Sequence, residues 1–156
     1  MTHARLAHRD SSKETSRVSD DSIERLASRW IDAINRCDIE ELCALAAPQH
    51  RFFVEGEEPT VGRDRIRSAW QGYFEAYPMY RIYVDERYEK PNALYLIGHT
   101  TGSHIPTDRE EMRSSVIWRC EIAGDKILEW SIYPATSTHR KRFGIEGRDG
   151  DPHSRL

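Results

Sequence analysis

The sequence is short of most features that announce a function at first reading. No apolar run approaches the ~20 residues of a membrane-spanning helix. Residues 1–19 are polar and lack the apolar stretch of a secretory signal peptide. Cysteine is scarce, and Cys37, Cys43 and Cys120 are odd in number, form no CxxC and have apolar neighbours. That usage fits small core residues in a reducing cytoplasm, not a disulfide framework. Neither sign of charge dominates: 23 Lys and Arg face 26 Asp and Glu, a formal net charge of −3, which argues against broad non-specific nucleic-acid binding. There are no internal repeats, and the histidines lack the third close partner that a metal site needs.

What is present is one domain's worth of chain. A sequence of 156 residues buries roughly 68–70% of its unfolded surface without a metal or disulfide staple. The charge is uneven. Residues 1–19 carry four basic and two acidic side chains and residues 135–156 carry five and three, so residues 20–134, with 14 and 21, hold a net −7. Both ends are poor in large apolar residues. They read as a flexible N-terminal tail, 1–19, and a flexible basic C-terminal tail, 135–156, around a folded unit of 20–134. The run His139-Arg140-Lys141-Arg142 is either part of a solvated tail or a contact for phosphate or an acidic partner.

Hydrophobic periodicity then orders the elements. Asp21 and Glu24 have capping-box spacing. Ile23, Leu26, Ala27, Trp30, Ile31 and Ile34 follow as one helical stripe. Asn35 to Asp38 breaks that helix. Asp38, with Glu41 three residues on, caps a second short helix whose buried side is Ile39, Leu42, Cys43 and Leu45. Residues 50–55 predict a strand. A third helix, from about Arg63 to Tyr77, presents Ile66, Ala69, Trp70, Tyr73, Phe74 and Tyr77. From Tyr80 the period is two, and four strands follow, over about 80–89, 93–104, 112–122 and 127–133, with a loop at 105–110. Gly98 and Gly102 suggest bulges or bends. This order predicts α+β architecture: a strongly bent, five-stranded antiparallel sheet wrapped around three N-terminal helices, enclosing a conical pocket. The other sheet face still carries Ile97 and Ile117, which a second copy could bury.

These elements resemble the nuclear transport factor 2-like superfamily, in the segment Ser28-Arg29-Trp30-Ile31-Asp32-Ala33-Ile34-Asn35-Arg36-Cys37-Asp38. The run Val61-Gly62-Arg63-Asp64-Arg65-Ile66-Arg67, followed by Trp70, resembles the SnoaL-like polyketide cyclase branch, as do Gly98-His99-Thr100-Thr101-Gly102 and Ala123-Gly124-Asp125-Lys126-Ile127-Leu128-Glu129-Trp130. The resemblance covers about residues 20–134. It implies the cone-shaped α+β barrel, cystatin-like or SnoaL-like, and commonly a homodimer through the sheet. Among similar proteins are ketosteroid isomerases, polyketide cyclases, dehydratases and epoxide hydrolases, so the fold does not name a reaction.

Carried over residue by residue, the family's chemistry is only partly met. The carboxylate base of the isomerases corresponds most nearly to Glu55, at the end of the first strand. The alternation of Phe52 and Val54 turns Glu55 outward unless the strand bulges, and an ungapped match puts Val54 at the base position. The isomerase tyrosine aligns with Trp30, and their protonated aspartate falls near Ile117 or Trp118, so that mechanism is not expected. The acid that similar cyclases use after the last strand is missing from Trp130 to Thr136. The epoxide-hydrolase trio is not evident, although Arg113 with Glu55 would form part of one. Dehydratases of this fold use paired histidines. His99 and His104 are candidates if a bulge at Gly102 brings them to one face, and one imidazole near a Tyr could serve as acid or base. His50 is a third candidate. Six rings, Trp30, Trp70, Tyr73, Phe74, Trp118 and Trp130, fall on predicted inward faces, as core or as the lining of a pocket for a flat apolar ligand.

The reading is a SnoaL-like domain that binds a small hydrophobic molecule. Beyond binding, it would be a cofactor-independent isomerase, cyclase or dehydratase acting on a carbonyl-containing or polycyclic substrate. Glu55 or His99 would be the base, and the aromatic set would hold the substrate. The alternative is a non-catalytic ligand-binding or protein-interaction module. The expected setting is the cytoplasm of a bacterial cell, as a homodimer, with no cofactor, metal, nucleic acid or membrane.

Overall fold

The structure is a computed structural model that describes residues 22–146. The N-terminal tail 1–19, the predicted cap Asp21 and the end of the chain beyond 146 lie outside those residues.

Helix α1 spans 22–35 and buries the predicted stripe, with Trp30, Ala33 and Ile34 fully enclosed. Cys37 takes a left-handed φ of 56°, and Asp38 then caps α2 (Ile39–Leu45) by accepting from the Glu41 N–H at 3.1 Å. Strand β1 (Ala46–Val54) follows directly, and β2 is the two-residue Thr60–Val61. Gly62, at φ 102°, opens α3 (Arg63–Ala76), and the Arg63 Nε donates to the Ala46 carbonyl at 3.2 Å. The glycine–arginine turn thus fixes the start of α3 against the start of β1. A meander completes the sheet: β3 (Arg81–Lys90), β4 (Ala93–Thr101), β5 (Val116–Ala123) and β6 (Lys126–Pro134).

The sheet has six strands in the order β2-β1-β6-β5-β4-β3. It is bent and unclosed, and the helices pack against it. Neighbours are antiparallel except β1 and β6, which run parallel with Phe52 opposite Trp130 and Val54 opposite Ile132. The one pair that joins strands from the two halves of the chain is therefore the exception to the predicted antiparallel pattern. Gly98 marks a bulge, but the extra residue is across the ladder: Val84 pairs with Gly98 and Glu86 with Ile97, leaving Asp85 over. A Cβ at Gly98 would collide with the Tyr83 carbonyl oxygen, so only glycine fits there.

Two segments differ from the sequence reading. The strand expected from Met112 begins at Val116, because Asp108–Arg113 form a short helix, α4, capped by the Thr107 hydroxyl accepting from Glu110 N–H at 3.1 Å. The expected tail beyond 134 is in part a further helix, α5 (Ser137–Phe143), capped by Thr136 and ended by the left-handed Gly144. α5 lies on the outer face of the sheet. Phe143 packs 4.9 Å from both Tyr95 and Tyr133, and Ile145 is fully buried in one apolar cluster with Ile97 and Ile117. The residues expected to need a second copy are 2% and 0% exposed within a single chain. The inner face carries the main core, where Trp30, Trp118 and Trp130 are fully enclosed.

Candidate ligand cavity

Between α3 and the inner face of the sheet lies a cavity of about 290 Å³. The α3 periodicity delivers Ala69, Trp70 and Tyr73 to one wall. The period-two alternation of the strands delivers Phe52, Val54, Thr100, Val116, Trp118 and Ile132 to the opposite wall. Tyr80, just before β3, and the Ser103–Ile105 segment complete the lining, with Glu57 at the rim. Most of this surface is apolar, with polar groups at a few points, as in small-molecule sites generally.

Those polar groups have defined surroundings. The Tyr73 hydroxyl and His104 Nδ1 are 2.9 Å apart, and the His104 backbone N–H donates to the same hydroxyl oxygen at 3.3 Å. Which of the two donates follows the imidazole tautomer, and the bond couples phenol and ring in either case. His104 is exposed at the mouth. Burial pushes the Tyr73 phenol above its usual range, and burial does the same to Tyr80. Tyr80 is 6% exposed, lines the cavity, and its hydroxyl makes no hydrogen bond among the described residues.

Glu111, from α4, is 1% exposed. The Thr100 hydroxyl and the Ser103 N–H both donate to its carboxylate, the latter at 3.2 Å to each oxygen. Both donors line the cavity, so Glu111 stands directly behind its wall. Its charge contributes, after burial, to the upward shifts of Tyr73 and Tyr80. The sequence reading missed Glu111 because 105–110 read as loop and the following residues as strand. The signal was present: Thr107-Asp108-Arg109-Glu110 has capping-box spacing.

Of the residues singled out from sequence, Trp70, Tyr73 and Trp118 come together on the cavity wall. Trp30, Phe74 and Trp130 belong to the core and do not line it. Glu55 does not reach it. It follows β1, its N–H bonds to Ile132 O, and its carboxylate is 3.4 Å from His139 Nε2 of α5. β1 carries no inward bulge at that point, so the alternation turns Glu55 away. His99 also lies outside. It alternates with Thr100 onto the outer face, stacked on Tyr83 and 3.2 Å from Asp85. Its five-residue separation from His104 is therefore not bridged to one face. His50 is fully buried, donates through Nδ1 to Ile127 O at 2.8 Å and stacks on Trp30; burial lowers its pKa to about 4. Arg113 is exposed and not paired with Glu55.

The sequence pattern of the SnoaL-like domain matches residues 27–130, and the chain belongs to that family. Solved structures share its cystatin-like fold. A candidate polyketide cyclase from Sinorhizobium meliloti superposes with a TM-score of 0.60 at 17% identity, covering 69% of this chain and 93% of that one. A candidate ketosteroid isomerase from Kribbella flavida gives 0.59 at 15%, covering 74% and 79%. Bal32a, from a soil-derived mobile gene cassette, gives 0.63 at 12%, covering 79% and 96%. At such identities the likeness is one of fold. No protein of curated function matches the sequence. Helix α5 lies beyond the matched span. No helix among the described residues is long and apolar enough to cross a membrane.

Proposed function

We propose that the cone binds a small, mostly apolar molecule that presents one hydrogen-bond acceptor to Tyr80. The observation that carries this is an aromatic-lined cavity holding a phenol with no partner among the described residues. That hydroxyl belongs to a side chain only 6% exposed, and an acceptor on a ligand in the cavity would give it a partner. Titration calorimetry with a neutral aromatic probe, 2-naphthol, tests the reading. Saturable binding is expected in the wild type and its loss in Ala69→Trp, whose indole would fill the space. Binding that persists in Ala69→Trp would place the site elsewhere.

A second reading, acid–base chemistry without a cofactor, is favoured by the Tyr73–His104 hydrogen bond at the mouth. The pair can pass a proton between the phenol and the exposed imidazole while a bound molecule lies against Tyr73. It would replace Glu55 and His99 as the reacting groups. Enolate formation is disfavoured, because Glu111 and Glu57 oppose a developing oxyanion and no Lys or Arg among the described residues lines the cavity to offset them. Dehydration, or binding alone, fits this electrostatic setting better than ketosteroid-type isomerisation. Tyr73→Phe and His104→Gln separate the two. In a binding module both variants keep the affinity of the wild type for 2-naphthol and no turnover exists to lose; in an enzyme either variant loses about 100-fold or more of turnover.

A further inference from the structure

We infer that the cavity selects a hydrophobic amine, a ligand with a positive charge attached to a one- or two-ring apolar body, over its neutral and anionic counterparts. This rests on the reading of the cavity as a ligand site and adds the charge of the occupant.

Two observations point the same way. Five aromatic rings, Phe52, Trp70, Tyr73, Tyr80 and Trp118, line the space, and the faces of such rings attract cations. Apart from the His104 imidazole at the mouth, the charged groups at the site are of one sign. Glu57 lines the rim, is exposed and forms no ion pair among the described residues; Glu111 lies behind the wall that Thr100 and Ser103 form; and no Lys or Arg among the described residues lines the cavity. The surroundings do not oppose it: the described residues, 22–146, carry 17 basic and 20 acidic side chains, a net −3, so the fold has no excess positive charge to repel an approaching cation. An anionic ligand would meet rings, phenols held protonated by burial, and two carboxylates. A neutral one would gain the apolar contact and an acceptor's bond from Tyr80 but nothing from the charge; an ammonium instead donates to the Tyr80 hydroxyl oxygen and adds its attraction to the rings and carboxylates. The volume, about 290 Å³, is at the small end for ligand sites, roughly 300–1,000 Å³, which sets the size of the apolar body.

A matched series tests this with the full chain: 2-naphthylmethylamine, 2-naphthylmethanol and 2-naphthoate, each titrated calorimetrically at pH 7. The amine is expected to bind about fivefold or more tightly than the alcohol, and the carboxylate weakest. In Glu57→Gln the advantage of the amine should fall to about twofold or less while the Kd of the alcohol is unchanged. Equal Kd values for amine and alcohol would overturn the charge selection and leave the cavity a ligand site. An advantage of the amine that survives Glu57→Gln unchanged would overturn the place given to Glu57. Failure of all three to bind, or binding indifferent to Ala69→Trp, would overturn the underlying reading of the cavity.

Discussion

Tyr80 and His50 show how burial alone gives a side chain its chemistry. Tyr80 keeps its proton because a phenolate there would be desolvated, so it is a donor at any physiological pH. Tyr80→Phe should leave folding intact and weaken a probe with an oxygen acceptor by about 1 kcal/mol, with no change for a hydrocarbon of the same shape; calorimetry on the two probes distinguishes them. His50 is a pH-dependent weak point of the core. Its folded pKa of about 4 lies below its ordinary 6.5, so the unfolded chain takes up a proton first as pH falls. Its contribution is complete above about pH 6.5, declines toward pH 4 and levels off below. Across that interval the lost stability amounts to about 3 kcal/mol. Urea unfolding at pH 7, 5.5 and 4.5 should show a steeper acid decline in the wild type than in His50→Asn, which keeps a donor for Ile127 and does not titrate.

At the scale of the element, α4 and α5 take roles that neither strands nor long helices fill. α4 is six residues long, too short to be stable alone. It is held by Glu111, whose carboxylate gathers the donors of Thr100 and Ser103. Glu111→Leu would strand both donors and should cost about 2 kcal/mol, with the loss concentrated in faster hydrogen exchange of the Ser103 amide. α5 is anchored through Phe143 and Ile145. Ile145→Ala should destabilise by about 3 kcal/mol, as buried aliphatic truncations do, measured by thermal or urea unfolding. The long elements were legible in the sequence because α1, α3 and β3 to β6 carry several turns or pairs of a single period. α2, as short as α5, was legible because Ile39, Leu42, Cys43 and Leu45 give it an apolar side behind the Asp38 cap; α4 and α5 were not, because neither carries such a side and both are rich in charge. Their signals were local: Thr107 and Thr136 as caps, and Gly144 as a stop.

For the molecule as a whole, α5 changes what the outer sheet face can do. With Ile97 and Ile117 already covered, a second copy has no large apolar surface to bury there. In the full chain this face should take no part in self-association, and a chain ending at Pro134 should self-associate or aggregate through it, as exposed apolar patches do, which sedimentation of the two chains compares. A full-length dimer whose contacts map to Ile97 and Ile117 would contradict this.

The sequence by itself determined the fold class, the order of the long elements, the family and the presence of an inward aromatic set. These follow from periodicity, capping residues and turn glycines, which act over a few neighbours. Only the tertiary structure decided which rings face a cavity and which are core, that Glu55 and His99 point away, and that Tyr73 meets His104 across 31 residues of chain. Only there does Glu111 come to stand behind the wall and α5 take the outer face. Those outcomes depend on the bend of the sheet, the parallel β1–β6 pairing and the bulge opposite Gly98, which set where distant segments meet; periodicity fixes only which side of its own element a residue takes.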